Sequence, residues 1–150
     1  MLKEIFDMIV TAKPEQLPVL SVMLRAMYEE IFGDKASKDN HVYISAIVAH
    51  FNNPKDYVYI DDKARGFFVI RDETEDLAPE VKRYHGLRVY IHPQFRKGRL
   101  LSEFYAKLFK EFPDGDIIGT TEINSEHIAV LEKRHTRIAN MYKLNRGKDT

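Results

Sequence analysis

At 150 residues the chain has room for one domain, 1–150, that buries about two thirds of the surface its unfolded form exposes. Its 23 lysines and arginines balance 23 aspartates and glutamates, so no global field draws it to nucleic acid or a membrane, and any basic site must be local. The absence of cysteine excludes disulfides, thiolate metal sites and a cysteine nucleophile, and fits a reducing compartment.

The opening "MLKEIFDMIVTA" carries acidic residues inside a short apolar pattern, unlike a signal peptide. No later run reaches the roughly 18 to 20 apolar residues of a membrane span, so a cytoplasmic protein is expected. "EIFDMIVTA" is rich in β-branched and aromatic residues and reads as a first strand, with a short helix as the competing reading. From Gln16, the three- and four-residue steps of Leu17, Leu20, Leu24, Met27 and Ile31 predict a helix that tolerates Pro18 in its first turn and stops at Gly33. Ile44, Ile47, Val48 and Phe51 predict a second helix, with Ser37, Asp39 and Asn40 as capping candidates and "NNP" as its end. Met23, Met27, Tyr28 and Tyr43 are core or groove lining.

"YVYI" and "GFFVI", joined by "DDKA", predict a β-hairpin. "RDETEDLAPEVKRYH" has no clear period and reads as a long loop or short helix before a strand "GLRVYI". A helix follows, with Leu100, Leu101, Phe104, Leu108 and Phe109 on its apolar side. "DGDIIGTTEI" supplies turn and strand, "SEHIAVLEKR" a short helix and "RIANMYKLNR" a final strand. The mixture predicts α+β or α/β: one central sheet, mixed but mostly antiparallel, flanked by helices.

Chemistry concentrates in "YIHPQFRKGRLLSEFY". A strand ending at Pro93 and followed closely by a helix aims the first free N–H groups of that helix beyond the strand, where they and the helix dipole favour an anion. Arg96, Lys97 and Arg99 would add charge-assisted contacts. A phosphate cradle and a solvated basic turn both fit these residues.

The stretch resembles the cofactor-binding motif of the GNAT superfamily of acyl-coenzyme A dependent N-acetyltransferases, and the likeness spans nearly the whole chain, as in small stand-alone members that include phage-encoded ones. Ile91, His92, Pro93, Gln94, Phe95 and Arg96 fall in register with the family's strand end, and Leu100, Phe104, Tyr105, Leu108 and Phe109 with its helix. The resemblance implies acetyl-CoA as cosubstrate, held by Val89, Tyr90, Ile91, Arg96, Lys97, Gly98, Arg99, Leu100, Leu101 and Asn124. Three departures stand out. Lys97 and Arg99 occupy positions where the family has small residues, with Gly98 between them, and Leu131 occupies the position of the family's general-acid tyrosine. His135 stands where a glycine usually follows.

Acetyl transfer to an amine needs a base, oxyanion donors and a proton for the leaving thiolate. The resemblance places the donors on the backbone near Val89, Tyr90 and Ile91. Base candidates are Glu122, at the end of the fifth strand, and His85, before the fourth; Tyr142 or His127 could serve as acid. Each also reads as a surface, loop or packing residue. Six scattered histidines, with His41 and His50 nine apart, predict no metal site. "DETED" is a solvated acidic turn or a lure for a basic acceptor. The function expected is N-acetylation of a small-molecule or protein amine; a degenerate coenzyme A-binding or structural module is the alternative. A homodimer stays open.

Overall fold

The computed structural model describes residues 8–119 and Asn145. The elements below belong to the first of its two compact units, Met1–Gly119; the second is Thr120–Thr150. The readings placed on Glu122, Asn124, His127, Leu131, His135 and Tyr142, and on the last helix and strand, lie outside the described residues.

β1 (Ile9–Thr11) is the described part of the first strand. α1 (Leu17–Phe32) carries Pro18 in its first turn and ends at Gly33, whose φ of 58° suits a residue without Cβ. α2 (Asn40–Asn52) is capped by Asp39, whose Oδ1 accepts from the His41 N–H at 2.9 Å. Its buried stripe is Tyr43, Ile47 and His50, and Val48, expected inside, is exposed. The helix therefore turns a histidine toward the sheet. The hairpin expected from "YVYI" and "GFFVI" is β2 (Asp56–Asp61) and β3 (Gly66–Asp72).

β4 spans Arg83–Ile91, three residues longer at its start than "GLRVYI" suggested. Arg83, Tyr84 and His85 belong to the strand, all three paired to β5 and the latter two also to β3, so His85 is a strand residue and not part of the preceding loop. α3 (Leu100–Glu111) buries Leu100, Phe104 and Leu108, at four-residue steps; Phe109 lies about 100° further round and is exposed, contrary to expectation. β5 is Asp116–Ile118.

The sheet has order β1-β2-β3-β4-β5, antiparallel through β4 and parallel between β4 and β5. Leu20, Leu24, Tyr43 and Ile47 of α1 and α2 pack on Val58, Ile60, Phe67 and Val69. Leu100, Phe104 and Leu108 of α3 pack on Tyr59, Phe68, Ile70 and Tyr84 across the sheet. Helices on both faces explain why "GFFVI" is apolar without alternation.

Candidate active site

β4 is irregular where it matters. Val69 stands opposite Arg88 and Ile70 opposite Gly86, which leaves Leu87 as a bulge. The extra residue inverts the alternation, so Tyr84 and Ile91, of opposite parity, face the α3 layer together. Parallel pairing with β5 covers only Arg83–His85 among the described residues. From Gly86 to Ile91, about 17 Å of strand edge has no strand partner there.

The direction of the free edge groups follows from the ladder. The His92 N–H donates to the Arg65 carbonyl at 2.8 Å, and Tyr90 opposite Phe67 is in step with that pair. Tyr90 is therefore engaged with β3, while the N–H groups of Val89 and Ile91 point away from it, to the side on which β5 lies. The Val89 side chain is exposed, and those of Tyr90 and Ile91 are buried.

Beyond the strand, a turn at Pro93–Phe95 leads to the basic loop. Arg99 is the N-cap of α3 and no side chain caps the helix, so its first turn keeps donors for an anion. Lys97, Gly98 and Arg99 are exposed, Leu100 is buried and Leu101 half-buried. A methyl group at Gly98 would meet nothing closer than 3.6 Å, so the position does not require glycine for packing. Arg96 is committed elsewhere: its Nε donates to the Ile91 carbonyl at 2.8 Å and its two Nη groups hold the Glu30 carboxylate of α1. Two of the three cations, Lys97 and Arg99, thus form no ion pair among the described residues.

Register puts His85 and Arg88 on one face of β4, because their partners Arg71 and Val69 are two residues apart on β3. It is the face covered by α1 and α2. His85 Nδ1 lies 3.0 Å from Glu73 Oε1, which orients the ring and leaves Nε2 with no partner among the described residues. Glu73 helps line a shallow depression of about 490 Å³ with Asp72, Glu75 and Asp76 and with the cations Lys55 and Arg71, the latter bound to Asp56, so the four carboxylates of "DETED" outweigh the cations and make an acidic rim near that histidine.

Arg88 belongs to a chain of polar contacts that the sequence reading did not assemble. Its Nε donates to His50 Nε2 at 2.9 Å and its Nη1 to the Tyr28 hydroxyl at 2.8 Å, with Cζ 5.6 Å from the Tyr28 ring centroid. Because a guanidinium can only donate, His50 Nε2 is the acceptor and the ring proton sits on Nδ1, facing Asp56 Oδ2 at 2.8 Å. The Asp56 side chain is fully buried and also takes both arms of Arg71, at 2.6 and 2.9 Å. Burial pushes its carboxyl pKa up, but the bonds from Arg71 and His50 outweigh that and hold it below the usual value. The available signals were a charge in the apolar strand "GLRVYI" and a histidine in step with Tyr43 and Ile47. Among the described residues no group of three potential metal ligands occurs, and no helix is long and apolar enough to cross a membrane.

No protein-family model and no curated protein matches the sequence. Solved structures do match in fold. A possible acetyltransferase from Clostridium difficile 630 superposes with a TM-score of 0.70 at 19% identity, over 91% of this chain and 95% of its own. An integron cassette protein from the mobile metagenome of Cole Harbour Salt Marsh gives 0.72 at 14% identity, over 99% and 95%. A ribosomal-protein-alanine N-acetyltransferase from Brucella melitensis biovar Abortus 2308 gives 0.68 at 11%, over 94% and 97%.

Proposed function

We propose that this chain, whose fold is that of the GNAT acetyltransferases, transfers the acetyl group of acetyl-coenzyme A to the nitrogen of an amine. The observation that carries the reading is the bulge at Leu87, within a stretch of β4 from Gly86 to Ile91 that has no strand partner on its β5 side among the described residues. That stretch carries the Val89 and Ile91 amides, directed away from β3, and leads to the uncapped start of α3, flanked by Lys97 and Arg99. That loop suits a pyrophosphate, and the strand edge suits the amide-bearing arm of the cosubstrate.

In the transfer the amine nitrogen attacks the thioester carbonyl carbon, and an edge amide receives the developing oxyanion. His85 Nε2 takes the amine proton while Glu73 holds Nδ1–H. The carbon–sulfur bond then breaks, and the thiolate takes a proton from Tyr142, His127 or solvent, since leucine fills position 131. Glu122 is the alternative base.

Lys97 and Arg99 at the family's small positions favour a second reading, a coenzyme A-binding module without turnover. Calorimetry with acetyl-coenzyme A and free coenzyme A, followed by thiol release with a panel of amines, decides. Binding with turnover is expected, and His85→Gln should lower turnover about a hundred- to ten-thousandfold without weakening cosubstrate binding. Turnover indifferent to His85→Gln moves the base elsewhere; binding without turnover supports the module; no binding removes both readings.

A further inference from the structure

Arg88 is a half-buried guanidinium with no counter-charge among the described residues. Its Nε and Nη1 bond the neutral acceptors His50 Nε2 and Tyr28 Oη, and among the described residues no carboxylate pairs with it. The carboxylate of its own network, Asp56, lies beyond the His50 ring and is neutralised by Arg71. A cation partly withdrawn from water and offered only neutral acceptors is left uncompensated. Three N–H groups of the guanidinium, one on Nη1 and both on Nη2, make no hydrogen bond among the described residues and leave a fork for a further acceptor. The fork is also held rigidly: His50 is buried and its tautomer fixed by Asp56, and the Tyr28 ring lies against the guanidinium.

We infer that Arg88 receives a carboxylate, and that the acceptor is an amine bearing one, of the free amino-acid type, instead of a polyamine. This rests on the acetyl-transfer reading for the amine end. The two ends of such a molecule find opposite charge on one face of β4: the carboxylate at Arg88, and the ammonium at the side of His85, Glu73 and the acidic rim. Loss of a proton to His85 then leaves the nucleophilic amine with the carboxylate still anchored. A two-pronged arginine–carboxylate contact fixes orientation as well as affinity.

The test titrates the isotope-labelled protein with free amino acids and their matching amides while following the Arg88 Nε–H resonance, and separately measures thiol release with the same panel. At least one amino acid should shift the resonance where its amide does not, and be used with a KM about ten- to a hundredfold lower than the amide. Arg88→Gln should erase that preference, and Arg88→Lys, which can still donate to His50, should restore part of it; cosubstrate affinity stays unchanged in both. Acids and amides shifting the resonance alike, no acid shifting it, or turnover confined to amines without a carboxylate overturns the inference, even if neither variant folds. A selective shift without thiol release overturns the transfer reading and leaves the carboxylate site standing.

Discussion

Asp56 shows how a single buried carboxylate can organise a site. With its side chain removed from water, it stays ionised because Arg71 and the His50 Nδ1–H supply its partners, and through His50 it sets the orientation of Arg88. Its pKa is lowered on folding, so its contribution to stability is present above the unfolded-state value, near 3.9, and is lost as pH falls through the folded value. Asp61, fully buried against both arms of Arg65, behaves in the same direction. Asp56→Asn should cost about 3 kcal/mol at pH 7, because Arg71 loses its counter-charge. Denaturant unfolding measured at several pH values should show a shallower decline below pH 4, on the order of the unfolded-state carboxylate range, than in the parent. An equal decline in both would mean that Asp56 is not the titrating group.

At the scale of elements, the β3–β4 hairpin aims the site. Gly66 faces Ile91 where β4 leaves the sheet for the basic loop, and a Cβ there would stand 2.5 Å from the Tyr90 carbonyl oxygen and 3.2 Å from the Ile91 Cα. Those are backbone atoms, so the strands would have to shift. Gly66→Ala should destabilise the protein by about 1–3 kcal/mol, read from the denaturant midpoint. It should also weaken cosubstrate binding, because the Ile91 carbonyl anchors Arg96. A variant as stable as the parent would show that the hairpin end relaxes freely. The elements themselves were largely legible: periodic leucines announced α1, and Asp39 announced the start of α2. The start of β4 was not, because Arg83, Tyr84 and His85 form no apolar run and are held in the strand by neighbours distant in sequence.

Across the whole molecule the formal charge is zero, so long-range steering is weak and the salt dependence of binding reports local contacts. Coenzyme A affinity should fall as salt rises. Lys97→Ala and Arg99→Ala should each weaken it by about 1 kcal/mol and flatten that dependence. Arg96→Ala should weaken binding through the geometry of the loop without flattening the slope, since Glu30 already balances its charge. Calorimetry at several salt concentrations checks both, and an Arg96 variant that flattens the slope most would show that the Glu30 pair opens on binding. The sequence by itself determined the order of the described elements, the hairpin, the basic loop and the apolar layers, because periodicity, turn chemistry and capping act over a few residues. Tertiary structure alone decided that Leu87 bulges, that β5 pairs parallel with Arg83–His85, that Arg96 turns to Glu30, and that Glu73 meets His85 while His50 meets Arg88. Those outcomes depend on strand register and on which helix covers which face, and partners 38 or 66 residues apart leave no local pattern to read.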